Sequence, residues 1–385
     1  MSKHDFSPEE FADRRARVRQ AIADKGLDWL VLFHPVSIHW LTGSDAKSYQ
    51  AFQCLLVSAS DDPLILIARA SERAEIEADT LADRMIGWGG PEPEDPLAVF
   101  ARVADELRLT TRRVGIEVPA YYLHPHHYVR LKDLLSGAHV AEPTDLVPRL
   151  KLVKSPRELQ YIREAGSIAD HAMQAFVESL AADRSELEVA GEVYRSLLAA
   201  NGGLAASTIN LVSGERSAFS HGAPTERRLR PGDFGNVEFG GVRRRYTATI
   251  GRQFAIGKPS TRMIELYSIV REASEACRSE MRDGVPAIAP HEAAKKVIAR
   301  AGLDQFRIHT TGYGIAPGFP PSWGEPLNMF GGSKDVLKAG MVLSIEPPVF
   351  IADEGLGARL IDNVLVTETG TEPITRFSPA LIVIE

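Results

Sequence analysis

Between Ser220 and Gly257 the chain places an acidic residue inside a run that otherwise reads as buried strand. A turn at Arg230-Pro231-Gly232-Asp233 leads into a strand expected over Phe234 to Phe239, with Glu238 near its end. Gly240-Gly241 is expected to break that strand, and a second one follows from about Arg245 to Ile256. A carboxylate at the end of an apolar strand is costly unless it is paired or put to use, and glycines inside a strand pattern mark bends or close approaches. The plain structural alternative is an edge-strand Glu facing water. His221, in Ser220-His221-Gly222, precedes Glu238 by seventeen positions. An imidazole titrates near neutrality and suits proton transfer.

The stretch does not stand alone. Glu238-Phe239-Gly240, Thr249, the run His309-Thr310-Thr311-Gly312-Tyr313-Gly314, Ser344-Ile345-Glu346-Pro347 and Ile361 follow one another at a recognisable spacing. This frame resembles the creatinase and Xaa-Pro aminopeptidase (pita-bread) family, whose peptidases hold two metal ions on two Asp, one His and two Glu. The resemblance covers essentially the whole chain, most specifically residues 150 to 370. At the five ligand positions stand Glu238, Thr249, Tyr313, Glu346 and Ile361. Threonine and isoleucine are poor ligands for hard cations, which need several anionic oxygens. The resemblance therefore points to the branch without metal ligands, that of creatinase and ectoine hydrolase, and no metal or other cofactor is expected.

What the resemblance implies residue by residue can be weighed against the chemistry. His221 matches the proton carrier of creatinase; the alternative is a satisfied loop histidine. Glu238 stands where a ligand Asp would be, as a nucleophile, base or cation anchor; its rival role is a structural acid paired with an Arg from 243–245. Tyr313 can donate to a substrate carboxylate or a developing oxyanion, or simply fill the vacated pocket. Phe319-Pro320-Pro321-Ser322-Trp323-Gly324-Glu325 resembles a run of the ectoine hydrolases, where Trp323 offers a face for a delocalised cation or a Pro-fixed anchor. Glu346 is shared with peptidases and creatinase and departs from the ectoine-hydrolase pattern. Glu238 and Glu346 in one pocket should repel, so the pocket draws a cation or keeps one acid protonated. Arg359 and Asp362 are candidates for a substrate carboxylate or for a supporting role.

The rest of the chain is read in order. Ser7-Pro8-Glu9-Glu10, Ser155-Pro156-Arg157-Glu158 and Ser185-x-x-Glu188 are capping-box starts of helices. Strands are expected at 29–33, 54–57, 64–67 and 113–116, with His34 to Gly43 as a loop and helices near 71–83 and 96–108. These suggest an α/β N-terminal domain over residues 1–148 and an α+β pita-bread catalytic domain over 149–385. Helices at about 261–282 and 290–301 and strands from Met341, Ile361 and Ala380 complete the second. The loop after Gly43 resembles one that, in creatinase-type domains, reaches the neighbouring subunit's active site. That implies a homodimer with composite sites and makes Tyr49, Phe52 and Gln53 substrate-binding candidates; packing of their own domain is the alternative.

The formal net charge of -7 argues against nucleic acid as the partner. Cys54 and Cys277 show no metal-binding spacing, and the polar start Met1-Ser2-Lys3 has no signal-like apolar core, so a cytoplasmic location is the default. No run approaches the length of a membrane helix. The combined expectation is a metal-independent hydrolase cleaving a C–N bond of a small zwitterionic amidine, guanidine or amide, similar to ectoine hydrolase. Alternatives are a creatinase-like amidinohydrolase, an Xaa-Pro metallopeptidase with atypical ligands, and a catalytically silent binding module.

Overall fold

The computed structural model describes residues 2–385, Ala316 by its backbone alone. The chain forms two compact units, one ending at Lys151 and the other spanning Leu152–Glu385.

In the N-terminal unit β1 (Trp29–Leu32), β2 (Cys54–Ser58), β3 (Ile65–Arg69), β4 (Arg84–Trp88), β5 (Arg113–Ile116) and β6 (His139–Ala141) form one sheet in the order β4-β3-β2-β1-β5-β6. Helices α1 (Pro8–Asp24), α2 (Pro35–Thr42), α3 (Arg73–Asp79), α4 (Pro96–Glu106), α5 (Pro125–Leu134) and α6 (Leu146–Leu150) accompany it. The four central strands β1, β2, β3 and β5 are mostly buried, which is why they read as apolar runs, whereas the edge strands β4 and β6 are half-buried or exposed. The expected loop from His34 to Gly43 is instead the helix α2. Pro35 occupies its first turn, the His34 side chain accepts from the Val36 N–H, and Gly43 closes it at φ 77. The helix expected near 71–83 shrinks to α3.

In the C-terminal unit α7 (Pro156–Ser179) and α8 (Glu186–Ala199) start on the capping boxes of Ser155 and Ser185. They pack against β7 (Asn210–Ser213), β8 (Phe234–Arg243) and β9 (Tyr246–Ile256) through Met173, Phe176, Val237, Phe239 and Phe254. Gly240-Gly241 does not break β8. The strand runs on to Arg243, and the reversal falls at Arg244 and Arg245, both at positive φ. Gly241 serves close approach: a Cβ there would lie 2.2 Å from the Ala165 carbonyl oxygen on α7.

On the other flank α9 (Thr261–Glu280) and α10 (Ile288–Arg300) share a core with part of the remaining strands. These are β10 (Gly312–Phe319), β11 (Ser322–Met329), β12 (Val342–Ile345), the pair β13 (Val349–Ile351) and β14 (Leu356–Ala358), β15 (Asp362–Val366), β16 (Thr371–Pro373) and β17 (Ile382–Ile384). The main sheet runs β16-β15-β12-β10-β9-β8-β7, with β11 on β10 and β17 on β9. Alternation along β8 sends Val237 and Phe239 into the core under α7 and α8 and leaves Glu238 on the opposite face.

Candidate active site

Glu238 is held from two directions. The register of β7 against β8 sets Asn210 opposite Glu238, and its side-chain amide donates to Glu238 Oε2 at 2.9 Å. Arg359, between β14 and β15, brings Nη1 to the same oxygen at 2.5 Å. Both partners are almost fully buried, at 2% and 5% side-chain exposure. The Arg paired with Glu238 is therefore not one of residues 243–245: Arg243 pairs with Glu164, and Arg245 lies over the Phe319 ring. Asp362 faces elsewhere and pairs with Arg252 at 2.7 Å.

Glu346 follows β12 and is completely enclosed. Its Oε1 has no hydrogen-bond partner, and the nearest basic atom, His309 Nδ1, is 3.8 Å away. Burial, and then the negative charge of Glu238, push its carboxyl well above the usual carboxylate range; Arg359 and the Tyr313 hydroxyl only partly oppose this. Arg359 thus cancels the charge of Glu238, while burial and that neighbouring acid favour the neutral form of Glu346. Both outcomes expected of two acids in one pocket occur together, one at each acid.

Tyr313, on β10, accepts a hydrogen bond at its hydroxyl from the Trp323 indole N–H at 3.0 Å. Burial and the two acids drive its own ionisation far up, so it stays a phenol and a donor. Trp323 is 5% exposed on β11.

His309, to which the sequence pattern gives no role of its own, joins the site. Its ring centroid lies 5.3 Å from that of His221. His309 Nδ1 contacts the Thr310 carbonyl at 3.2 Å. A carbonyl only accepts, so Nδ1 carries the proton and Nε2 keeps its lone pair. Burial and the charge of Arg359 lower the pKa of both histidines below the ordinary value, leaving two neutral imidazoles at neutral pH. His221 is exposed on its loop, whereas His309 is largely covered. The signal for His309 was its place at the head of the His-x-x-Gly-Tyr-Gly run. Asn210, on a strand nobody would single out by composition, offered none.

The remaining ligand positions are committed to structure. Thr249 Oγ1 accepts from Asn363 Nδ2 at 2.8 Å, and its N–H donates to Asn363 Oδ1 at 2.6 Å. Ile361 is fully buried against Gly251. Among the described residues no group of three or more His, Cys, Asp or Glu side chains is arranged to hold a metal ion. With a guanidinium on Glu238 and with Thr249 and Ile361 at two of the five positions, this donor set does not fit a dinuclear metal centre.

Phe52, Gln53 and Tyr49 belong to the N-terminal unit, which does have a use for its aromatics. Phe52 packs in its core, edge-on to Phe33 and His127, and Tyr49 meets Tyr122 edge-on. Gln53 is buried as well. Among the described residues no helix is long and apolar enough to cross a membrane.

The metallopeptidase family M24 matches residues 160–368, and the creatinase/prolidase N-terminal domain matches residues 14–153. A probable dipeptidase PepE of Mycobacterium bovis is 30% identical over 100% of the chain and 99% of its own length. The ectoine hydrolase of Halomonas elongata is 26% identical over 98% of each. The crystal structure of dipeptidase PepE from Mycobacterium ulcerans superposes with a TM-score of 0.84 at 28% identity, covering 98% of this chain and 99% of the other.

Proposed function

Because the chain belongs to the metallopeptidase family M24, we propose that it is a hydrolase of the pita-bread fold that works without metal on a small zwitterionic compound. The bond cleaved is a C–N bond of an amidine, guanidine or amide, in the manner of an ectoine hydrolase. The observation that carries this reading is Arg359 bound to Glu238 in the pocket where peptidases of the fold keep their cations. A cation is present there, and it is part of the chain.

The residues divide the chemistry between them. Water attacks the carbon of the C–N unit; its oxygen bonds to that carbon as the bond to nitrogen breaks. Neutral His221 takes the proton from the water and passes it to the leaving nitrogen. His309, with Nδ1 fixed on a carbonyl, offers Nε2 as a second acceptor beside it. Protonated Glu346 and the Tyr313 phenol are donors for the oxygen or nitrogen on which negative charge develops. The N–H groups of Arg359 left over by Glu238 suit a substrate carboxylate.

A second reading, an Xaa-Pro peptidase, is favoured by relatives named as dipeptidases. One experiment separates the two. Purified protein is chelated exhaustively, analysed for metal, and assayed on ectoine, hydroxyectoine, creatine and Xaa-Pro dipeptides. Turnover of a non-peptide substrate by metal-free protein is the expected result. A stoichiometric transition metal required for dipeptide hydrolysis would overturn the proposal.

A further inference from the structure

Behind the strands that carry Arg359 and Glu346, on the side covered by α9, lies a cavity of about 390 Å³. Its sheet wall is largely apolar, with Ile345, Leu360 and Val364 beside the mutually bonded Asp362 and Thr375. Chain alternation turns Leu360 and Asp362 towards it while Arg359 reaches Glu238 on the other side. The opposite wall is one face of α9, presenting Arg271, Ser274 and Arg278 at spacings of three and four residues.

We propose that this cavity is a second ligand site, which takes a small organic carboxylate with an apolar body. Ser274 is only 8% exposed, lines the cavity, and its hydroxyl has no hydrogen-bond partner. A buried hydroxyl left without a partner costs free energy that an acceptor in the cavity would recover. The charges around it favour an anion. Asp362 is bound by Arg252 and Thr375, Glu275 by Arg278, and Glu272 by Arg300. Arg271 alone among these guanidiniums makes no hydrogen bond or ion pair with any described residue. One positive charge and one hydroxyl donor are therefore open on the helix, facing a largely apolar wall. A carboxylate satisfies the first two, and a hydrocarbon body covers the third. Such a ligand would press on Leu360 and Ile345, the immediate neighbours of Arg359 and Glu346. The site is independent of what the enzyme hydrolyses.

The test is direct titration with benzoate and pentanoate, followed by calorimetry and by NMR, against benzamide and inorganic phosphate as controls. Saturable binding of the carboxylates is expected, weakened about tenfold or more by Arg271→Gln and by Ser274→Ala, the scale of one charge-assisted hydrogen bond. His221→Ala should leave the binding unchanged, which separates this site from the catalytic one whatever the substrate proves to be. Absence of saturable binding, equal binding of benzamide or phosphate, or affinity indifferent to both α9 substitutions would overturn the proposal.

Discussion

The guanidinium of Arg359 and the carboxylate of Glu238 form an ion pair at 2.5 Å with almost no exposure to solvent. Removing one partner of such a pair leaves a charge stranded in a medium that solvates it poorly, and costs about 3–5 kcal/mol. Arg359→Met should lower unfolding stability by that amount in urea titrations. The double variant Arg359→Met/Glu238→Gln should regain most of the loss. A single variant within about 0.5 kcal/mol of wild type, the range of an ordinary surface change, would mean that the pair is not what holds this pocket together.

Glu346 gives a pH dependence with a defined sign. Its carboxyl is raised well above 4.5 in the folded protein, so the folded state holds a proton that the unfolded chain releases near that value. The stabilisation is fully present below the unfolded pKa and is lost as pH rises through the folded one, at up to about 1.4 kcal/mol per pH unit. Glu346→Gln mimics the neutral acid and should flatten the stability profile above the unfolded-state value of 4.5, where the wild-type protein loses stability as pH rises. Parallel profiles for the two proteins would show that Glu346 is ionised after all.

For His221 the expected signature is kinetic. His221→Ala should reduce kcat by on the order of 10²–10⁴-fold with little change in KM. The wild-type rate should stay level through neutrality and fall only on the acid side, below the ordinary histidine value of 6.5, because burial and Arg359 hold both imidazoles neutral. An acid limb above 6.5 would contradict the neutral pair.

Tyr313 joins the Trp323 indole to the neighbourhood of Glu346. Tyr313→Phe removes a donor aimed at developing charge, and a loss of about 10²–10³-fold in kcat is expected, the range for one such donor. A change below about threefold, far short of that range, would reduce Tyr313 to filler.

The homodimer with composite sites remains a proposal tied to the segment after Gly43. Phe52 is a poor probe of it because its substitution would hollow the N-terminal core. Tyr49→Ala is gentler, being at a half-buried position. Mixing a Tyr49→Ala chain with a His221→Ala chain, each inactive alone, should restore activity in mixed dimers. Failure despite verified subunit exchange would show that each chain builds its site alone.

Much of this molecule is legible in its sequence. Ser155 and Ser185 cap their helices through the reciprocal bonds their spacing implies, and Ser7 accepts from Glu10 as its own spacing suggests. The frame of ligand positions placed Glu238, Tyr313 and Glu346 in one pocket because spacing within a family encodes the strand register. What stayed hidden depended on tertiary partners. The double glycine looks like a strand break until Ala165 on α7 supplies the reason for it. α2 reads as a loop because its mix of Pro, β-branched and polar residues has weak helix propensity, which burial on every side overrides. Arg359 could be suspected of a role, yet its choice of Glu238 rests on a meeting of strands that no local pattern announces.

That meeting spans 121 residues of sequence. During synthesis Glu238 leaves the ribosome well before its counter-charge exists. At about 5–20 residues per second the wait is on the order of ten seconds. Throughout that interval the nascent β8 has Asn210 but no counter-charge for its acid, whereas α7, α8 and β7 are already made and β9 follows early in it. The half of the unit built on those helices can therefore consolidate early, while the pocket closes only after translation passes Arg359. A stall or truncation before Arg359 would release a chain with part of its core packed and no counter-charge for Glu238.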